Sequence, residues 1–514
     1  MADGRVVVIG AGLGGLAAAL DLAARGVPVT VCERADAPGG KMREVMVAGR
    51  PVDSGPTVFT MRWVLEALFA DCGLSLDDHV RTKRLGVLAR HAWPDGTRLD
   101  LFADRAASAS AIGDFAGAAE ARGFRAFMAR AGAIYRTLET SFMTAQRPTP
   151  LSLALRVGLA RLPDLARVSP FATLWQELGK HFRDPRLRQL FGRYATYCGA
   201  SPFAAPATLM LIAHVEQEGV WAVEGGMHRI ARALAEAARR HGAIIRYGSD
   251  VEAILERGGA VSGVRLRGGE RIAASAVIAN ADHAALRTGL FGAAAARATR
   301  GGAPPRSLSA LTWSLVGTVE GFPMLRHTVF FSGDYEAEFD TILREQALPD
   351  DPTIYVCAQD RGDPDDPAPE GHERLFCLVN APATGESARP TPEEIARCEE
   401  RTFSALRRAG LTVRPKAAVI TDPAVFHRLF PATGGALYGR ALHGWAASFR
   451  RPGARTRLGG LFLAGGSVHP GPGVPMATLS GRLAAQAALA FLRPRSASIR
   501  GFAPAAISGG TSTG

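Results

Sequence analysis

A glycine-rich loop near the start of the chain constrains the fold more than any other feature. The loop spans residues 10–15 and lies between a strand-like apolar run at 6–9 and a helix-like run at 16–24. In that context glycines permit a tight turn, close approach of the backbone to a pyrophosphate and close packing of helix on strand, with the helix N-terminus facing phosphate. The sequence therefore predicts a dinucleotide-binding unit, with these residues at the cofactor: Gly10, Gly12, Leu13, Gly14 and Gly15.

The acidic residue Glu33 narrows the choice of dinucleotide. It ends the next predicted strand, at 29–32, about 20 residues after the glycines, where a carboxylate accepts hydrogen bonds from ribose hydroxyls and repels a 2′-phosphate. This predicts FAD or NAD and excludes NADP.

The segment that follows Glu33 indicates whether the predicted cofactor is FAD or NAD. Pro38-Gly39-Gly40-Lys41 comes next, and then Asp53-Ser54-Gly55-Pro56, where an NAD domain would continue directly into another strand-helix unit. The turn resembles that of flavoproteins with two glycine motifs, in which a Gly-Gly-Arg/Lys turn runs along the FAD diphosphate. The alternative is an ordinary surface turn. The resemblance implies FAD, held in this segment by Arg34, Gly40, Lys41, Gly55, Pro56 and Thr57.

A second glycine-rich loop lies near the C-terminus. A predicted buried strand at 461–463 leads into it, and a helix is predicted from about 477 to 492. A helix start carries partial positive charge, which suits the anionic edge of a reduced flavin. We expect the two chain ends to hold one cofactor, with these C-terminal contacts: Gly465, Gly466, Gly473, Val474, Pro475 and Met476.

The pattern Gly-x-x-His-Pro-Gly-x-Gly-x-Pro at 466–475 resembles the C-terminal signature of the bacterial-type phytoene desaturase family of carotenoid desaturases. Further similar segments extend the resemblance over the chain up to Leu492. Two stretches, 193–202 and 219–230, look most like the 1-hydroxycarotenoid 3,4-desaturases, also called methoxyneurosporene dehydrogenases. The loop at 465–470 departs from the Gly-Ala-Gly-Thr-His-Pro string usual in phytoene enzymes, which favours that subgroup.

The resemblance implies an α/β class: a Rossmann-like flavoprotein fold with two dinucleotide-binding domains and an interleaved α+β substrate domain. A chain of 514 residues is long enough for two cores. The FAD-binding segments are expected at 1–70, 224–300 and 451–492, with Val251 near the adenine. The substrate domain is expected at 71–223, mostly helical, and at 301–450, with a disordered tail at 493–514.

The resemblance also implies the chemistry, which is removal of a hydride and a proton from an acyclic carotenoid. Oxygen or a membrane quinone would take up the electrons. Glu224 and His469 are candidate catalytic residues beside the glycine turns, where His228 and Tyr438 can also titrate, and none is assigned as a base. A substrate hydroxyl would need polar partners in an apolar tunnel. Those expected from the subgroup-like stretch are Tyr194, Tyr197 and Ser201.

The net charge of +12 calls for an anionic partner. The basic residues are dispersed and lack a recognition pattern, which argues against nucleic acid. No apolar run is long enough to span a bilayer, so the apolar and basic stretch at 147–193 predicts peripheral contact with an anionic membrane. The alternative is that this stretch covers the substrate domain. Scattered cysteines and the absence of a signal peptide predict a cytoplasmic-side protein without a metal site.

Other functions on the same scaffold remain open from the residues. Phytoene desaturases, carotenoid isomerases and amine oxidases are flavoenzymes of this kind, although the chain has no aromatic-cage signature of an amine oxidase. GDP-dissociation inhibitors use the scaffold as non-enzymatic lipid carriers but have dispensed with FAD. Both cofactor loops look intact here, which favours an enzyme.

Overall fold

The computed structural model describes residues 4–157, 171–299 and 302–493. At its centre is a sheet of five parallel strands drawn from the beginning, middle and end of the chain. In order across the sheet they are Leu461–Leu463, Ala276–Ala279, Val6–Ile9, Val29–Cys32 and Ile244–Arg246. Four of the strands are fully buried, as expected for a parallel sheet covered on both faces, whereas the edge strand Ile244–Arg246 is partly exposed. The predicted α/β class is confirmed.

Helices cover one face of this sheet. The first, Leu13–Ala23, is buried along its whole length and packs against two others, His228–Arg240 and Val474–Leu492. The last helix approaches closely because it carries Gly481 at the crossing, where a Cβ would overlap the backbone oxygen of Gly14. The loop after Val6–Ile9 is thus fixed between the sheet and the C-terminal helix.

An antiparallel sheet of three strands packs on the opposite face. Its strands are Val251–Arg257, Ala260–Leu266 and Arg271–Ala273. They share one apolar cluster with the five-stranded sheet and with two short helices, His283–Arg287 and Ala293–Ala298. The five-stranded sheet is therefore covered on both faces.

A sheet of seven strands forms the second half of the molecule. All neighbouring strands are antiparallel except for one parallel pair, His327–Phe330 with Val87–Ala92. In order, the strands are Thr412–Thr421, Ser309–Glu320, Glu373–Ala381, Ile354–Ala358, His327–Phe330, Val87–Ala92 and Arg98–Phe102. Helix Pro392–Arg408 packs on this sheet through Cys398 and Leu406.

A layer of helices completes the second half. Its helices are Arg105–Ala116, Ala118–Leu138, Pro150–Val157, Leu174–His181, Pro185–Gly192 and Leu211–Glu218. The remaining helices are Trp63–Asp71, Tyr335–Asp340 and Pro423–Leu429. Two small strand pairs join Glu44–Val47 to Arg50–Asp53 and Thr82–Arg84 to Trp221–Val223. Within the described ranges, no helix combines the length and apolarity needed to cross a bilayer.

One segment differs from the sequence-based expectation. The stretch 71–223, predicted to be mostly helical, also contains the hairpin Val87–Ala92 and Arg98–Phe102. Its turn is Pro94-Asp95-Gly96, in which the Asp95 carboxylate accepts hydrogen bonds from the Thr97 amide at 2.9 Å and hydroxyl at 2.6 Å. The Pro-Asp-Gly triplet is a typical turn signal, which the prediction of a mostly helical segment did not take into account. The predicted tail lies outside the described residues beyond Arg493.

Candidate functional site

The first glycine loop is closed around one side chain, that of Asn280, which follows strand Ala276–Ala279. Its Nδ2 donates a hydrogen bond to the Gly10 carbonyl at 3.3 Å. A Cβ on Gly12 would lie 2.7 Å from Asn280 Nδ2, and a Cβ on Gly14 would lie 2.8 Å from Oδ1. A Cβ on Gly15 would overlap the Gly10 oxygen. Only glycines fit here, and the loop leaves its backbone open for the pyrophosphate of FAD.

Glu33 lies beside this loop, at the end of strand Val29–Cys32. Its carboxylate accepts hydrogen bonds from the Ala11 amide at 2.6 Å and the Ala35 amide at 2.9 Å. Two oxygens offer about four acceptor positions, so capacity remains for ribose hydroxyls. The carboxylate is thus fixed by the glycine loop at the position where a dinucleotide ribose binds in this fold.

The second glycine turn lies directly against the first. The Gly39 amide donates to the Ala11 carbonyl at 2.8 Å, and a Cβ on Gly40 would lie 3.3 Å from the Gly12 Cα. Lys41 donates to the Leu437 carbonyl at 2.6 Å, and burial lowers the pKa of its ammonium group. A Cβ on Gly55 would overlap the Lys41 oxygen. These segments form a continuous backbone surface from the first loop toward the second half of the molecule.

The C-terminal loop joins the same surface. A Cβ on Gly14 would lie 2.8 Å from the Gly465 amide nitrogen, and the Asn280 side chain also faces Gly465. The following helix begins at Val474, three residues before the predicted start, because Gly473 ends the loop and Pro475 suits a first helical turn. Among the described residues no side chain caps this helix, which leaves its N-terminal amides available to an anionic group.

Two predicted cofactor residues lie at the edge of this surface. Val251 is buried in a cluster with Cys32, and the nearby Ser249 amide donates to the Glu33 carbonyl at 2.8 Å. Arg34 is exposed and donates to the carbonyls of Arg428 and Leu429, at the end of a helix. Val251 is thus close to the ribose position, whereas the Arg34 guanidinium is engaged away from it.

A cavity of about 540 Å³ lies where the cofactor loops meet the seven-stranded sheet and the helical layer. Its wall includes two of the predicted cofactor segments, 55–57 and 473–476, and most other wall residues are apolar. Thr57 lies within 2.7 Å of the Tyr355 hydroxyl, which in turn lies 2.7 Å from His327 Nδ1. Tyr438 is on the wall, and burial raises the pKa of its phenol to about 12. The cavity therefore suits a largely apolar ligand beside these two cofactor segments.

Two charged side chains of the cavity wall, Arg193 and Glu216, lie near each other. Tyr197 lines the cavity, and its hydroxyl donates to Glu216 Oε1 at 2.7 Å. Arg193 Nη1 donates to the Tyr197 oxygen at 2.9 Å, and Tyr194 donates to the other Glu216 oxygen. Sequence reasoning missed Glu216. The structure gathers these four residues, here called the polar cluster: Arg193, Tyr194, Tyr197 and Glu216.

Of the predicted substrate residues, Tyr197 alone lies on the wall. Tyr194 is buried behind it, where burial followed by the Glu216 charge raises the pKa of its phenol well above the usual value. Ser201 is buried and uses its hydroxyl to accept from the Phe203 amide at 3.2 Å. The predicted catalytic candidates are not on the wall either. Glu224 is exposed at a turn.

His469 joins the C-terminal loop to the helical layer. Its Nε2 lies 3.0 Å from the carbonyls of both Phe142 and Ala145, so this nitrogen carries a proton and donates it. Burial lowers the pKa of the imidazole to about 4. His228 is likewise buried, with Nε2 at 2.8 Å from the Pro38 carbonyl. Both histidines hold glycine turns in place and face backbone carbonyls.

The neutral state of His469 predicts acid sensitivity. With a folded pKa of about 4 against an unfolded value near 6.5, the unfolded chain binds more protons between those values, so stability falls as the pH falls through this window. At pH 5 this one residue is expected to cost about 2 kcal/mol. Urea unfolding at pH 7 and pH 5 should show a smaller acid loss in His469→Gln than in the wild type. Equal losses would contradict the assignment.

Comparison with known proteins places this site in context. A profile of the flavin containing amine oxidoreductases matches residues 13–489. The chain is 53% identical over 513 residues to a hydroxyneurosporene desaturase of Rubrivivax gelatinosus, covering 99% of this chain and 97% of the relative. It is 46% identical over 496 residues to that of Cereibacter sphaeroides, covering 96% and 99%.

Among solved structures, an oxidoreductase from Methanosarcina mazei superposes with a TM-score of 0.61 at 18% identity, covering 93% of this chain and 99% of that one. At this identity the likeness concerns the fold alone. Together with the family match, it agrees with the flavoprotein fold and with FAD as the cofactor that the glycine loops and Glu33 accommodate.

Proposed function

Since the chain belongs to the flavin containing amine oxidoreductase family, and within it to the carotenoid desaturases of the bacterial type, we propose that it desaturates an acyclic carotenoid at C-3,4. The substrate carries a hydroxyl or methoxy group at C-1. The observation that carries this proposal is the cavity. It is largely apolar, its wall includes residues 55–57 and 473–476, and the only charged side chains on that wall among the described residues, Arg193 and Glu216, belong to one polar cluster.

The proposed reaction removes two hydrogens from neighbouring carbons and leaves a double bond. When bound, FAD supplies the acceptor for a hydride from one carbon, and the proton on the other carbon is released to solvent. A membrane quinone or oxygen takes the two electrons and completes the turnover. The protein's own part is to hold the polyene in the cavity and to exclude water, because water would add to the cationic intermediate. The positive charge of that intermediate is spread along the conjugated chain. Loss of a proton next to such a delocalised cation needs only a weak base.

Product analysis tests this proposal against its alternatives. FAD-loaded protein is incubated with 1-hydroxyneurosporene in liposomes, and in parallel with phytoene, with oxygen or a short-chain quinone as acceptor. We expect a product that has lost two hydrogens and absorbs at longer wavelength from the hydroxylated substrate only. Conversion of phytoene would assign an earlier desaturation, and an isomer of unchanged mass would assign an isomerase. Either result would overturn the proposal.

We further propose that the protein docks on the cytoplasmic face of an anionic bilayer around the cavity mouth. Phe171 and Trp445 on the cavity wall are exposed, and so are Leu151 and Leu155 on helix Pro150–Val157, which contributes Pro150 and Leu153 to the same wall. The rings of Phe171 and Trp445 are in contact, 5.5 Å between centroids, and both line the cavity. Leu153 and Leu174, from the stretch predicted to face lipid, are buried instead. Its middle part, at 158–170, lies outside the described residues.

Removing the two exposed rings should weaken docking. A buried aromatic side chain contributes about 1.5–3 kcal/mol, so Phe171→Ser combined with Trp445→Ser should lower binding to vesicles about tenfold or more. Co-sedimentation with phosphatidylglycerol vesicles measures this, and flavin content reports the fold. Leu290→Ser, which removes an apolar side chain 47% exposed in a loop beside the three-stranded sheet, serves as control. Unchanged binding by the double variant would contradict this docking surface.

A further inference from the structure

The polar cluster contains the only charged side chains on the cavity wall among the described residues, Arg193 and Glu216. Both are nearly inaccessible, at 6% and 2% exposure. Burying an ion pair is unfavourable unless its hydrogen bonds are complete, and an apolar wall would be simpler for an apolar ligand. The pair therefore calls for an explanation beyond packing.

The hydrogen bonds of this pair are incomplete. Arg193 Nη2 lies 3.9 Å from Glu216 Oε1, which is too long for a direct hydrogen bond. Within the described part of the chain, Nη2 and Nε of Arg193 are buried without an acceptor, and so is the hydroxyl of Tyr335 on the same wall. Buried donors are almost always paired in folded proteins. These donors therefore need a hydrogen-bond acceptor that the described part of the chain does not supply.

We propose that the polar cluster is the binding site for the substrate hydroxyl, which accepts a hydrogen bond from Arg193 and donates one to Glu216. A hydroxyl both donates and accepts, and one oxygen at about 2.8 Å from each group spans a gap of this length. Tyr197 holds the two charged groups in register through its bonds to both. This inference rests on the proposed function, since it names the residues that select a hydroxylated polyene.

The position of the cluster agrees with the proposed bond. The hydroxyl is carried by C-1, which is two bonds from C-3. Its binding site must therefore lie close to the part of the cavity where desaturation occurs. Both places lie on the wall of one cavity: Tyr197 of the cluster lines it together with Tyr355, whose hydroxyl lies 2.7 Å from the Thr57 hydroxyl of the cofactor segment.

The test compares two substrates in three variants. Tyr197→Phe and Glu216→Gln alter the cluster with little change in volume. Tyr135→Phe is the matched control, because it removes a tyrosine hydrogen bond to a glutamate, Glu139, in the same helical layer but away from the wall. The values of kcat/KM are measured for 1-hydroxyneurosporene and for neurosporene, which lacks the hydroxyl, and flavin content is checked in each protein.

We expect the wild type and Tyr135→Phe to prefer the hydroxylated substrate about tenfold or more, and the two cluster variants to lose most of that preference. The loss should arise from the hydroxylated substrate, mainly through its KM. Cluster variants that keep the preference, or that lose activity equally on both substrates, would overturn the inference while the proposed function stands. A wild type inactive on both would overturn the proposed function itself.

Discussion

Gly12→Val protein is expected to purify without flavin and without desaturase activity. The backbone of Gly12 is ordinary, with φ of −72°, so the effect comes from space and not from conformation. A Cβ there would lie 2.7 Å from the Asn280 side chain, and Gly12 is the residue from which helix Leu13–Ala23 begins. Filling such a space costs about 3 kcal/mol, or about 100-fold in FAD affinity.

The measurement is the ratio of flavin to protein absorbance after purification and after incubation with added FAD. Gly302→Val is the control, since nothing lies within 4 Å of its Cβ and its φ is not in the left-handed region. That variant should keep its flavin. If Gly12→Val also bound FAD like the wild type, the first glycine loop would not be the pyrophosphate site.

Gly481→Ala is expected to destabilise the fold by about 3 kcal/mol or more, although it adds a single methyl group to a helix. Its Cβ would overlap the Gly14 backbone oxygen and lie 2.9 Å from the carbonyl carbon. The backbone at Gly14 cannot move away freely, because Gly14 itself lies between the Gly465 amide and Ala477. Separation of the two helices would also displace the cofactor loop, so flavin content should fall.

Unfolding in urea, followed by circular dichroism, measures this loss. Gln486→Ala is the control on the same helix, because Gln486 is exposed, and it should change stability by less than about 0.5 kcal/mol. A Gly481→Ala protein as stable as the wild type would show that the contact between the first and last helices is looser than described.

The cofactor half could be predicted from sequence because its determinants are local. Glycines followed by an apolar helix, and an acidic residue after the next strand, specify loops whose positions depend on their own neighbours. Asn280 was less evident, since a lone asparagine after a strand has no pattern of its own. Its importance appears only when the strands at 6–9, 276–279 and 461–463 come together in one sheet.

The substrate side was harder to predict, because its residues come from distant elements. Glu216 lies on helix Leu211–Glu218, and a glutamate on a helix is ordinarily predicted to be exposed to solvent. Only the tertiary fold brings it into contact with Tyr194 and Tyr197. Tyr194 and Tyr197 lie three residues apart on the short 3-10 helix Arg193–Cys198 and both bond Glu216, but only Tyr197 reaches the cavity wall. The hairpin at 87–102 was missed because its first strand, Val87–Ala92, is buried on both faces and does not alternate apolar with polar residues.

Anaerobic single turnover tests the central claim most directly. FAD-loaded protein is mixed with 1-hydroxyneurosporene in liposomes without an electron acceptor, and flavin and polyene absorbance are followed together. The account predicts that flavin bleaches as a longer-wavelength polyene forms, with one flavin reduced for each double bond made. A polyene product without flavin reduction, or no reaction with this substrate while another polyene bleaches the flavin, would contradict it.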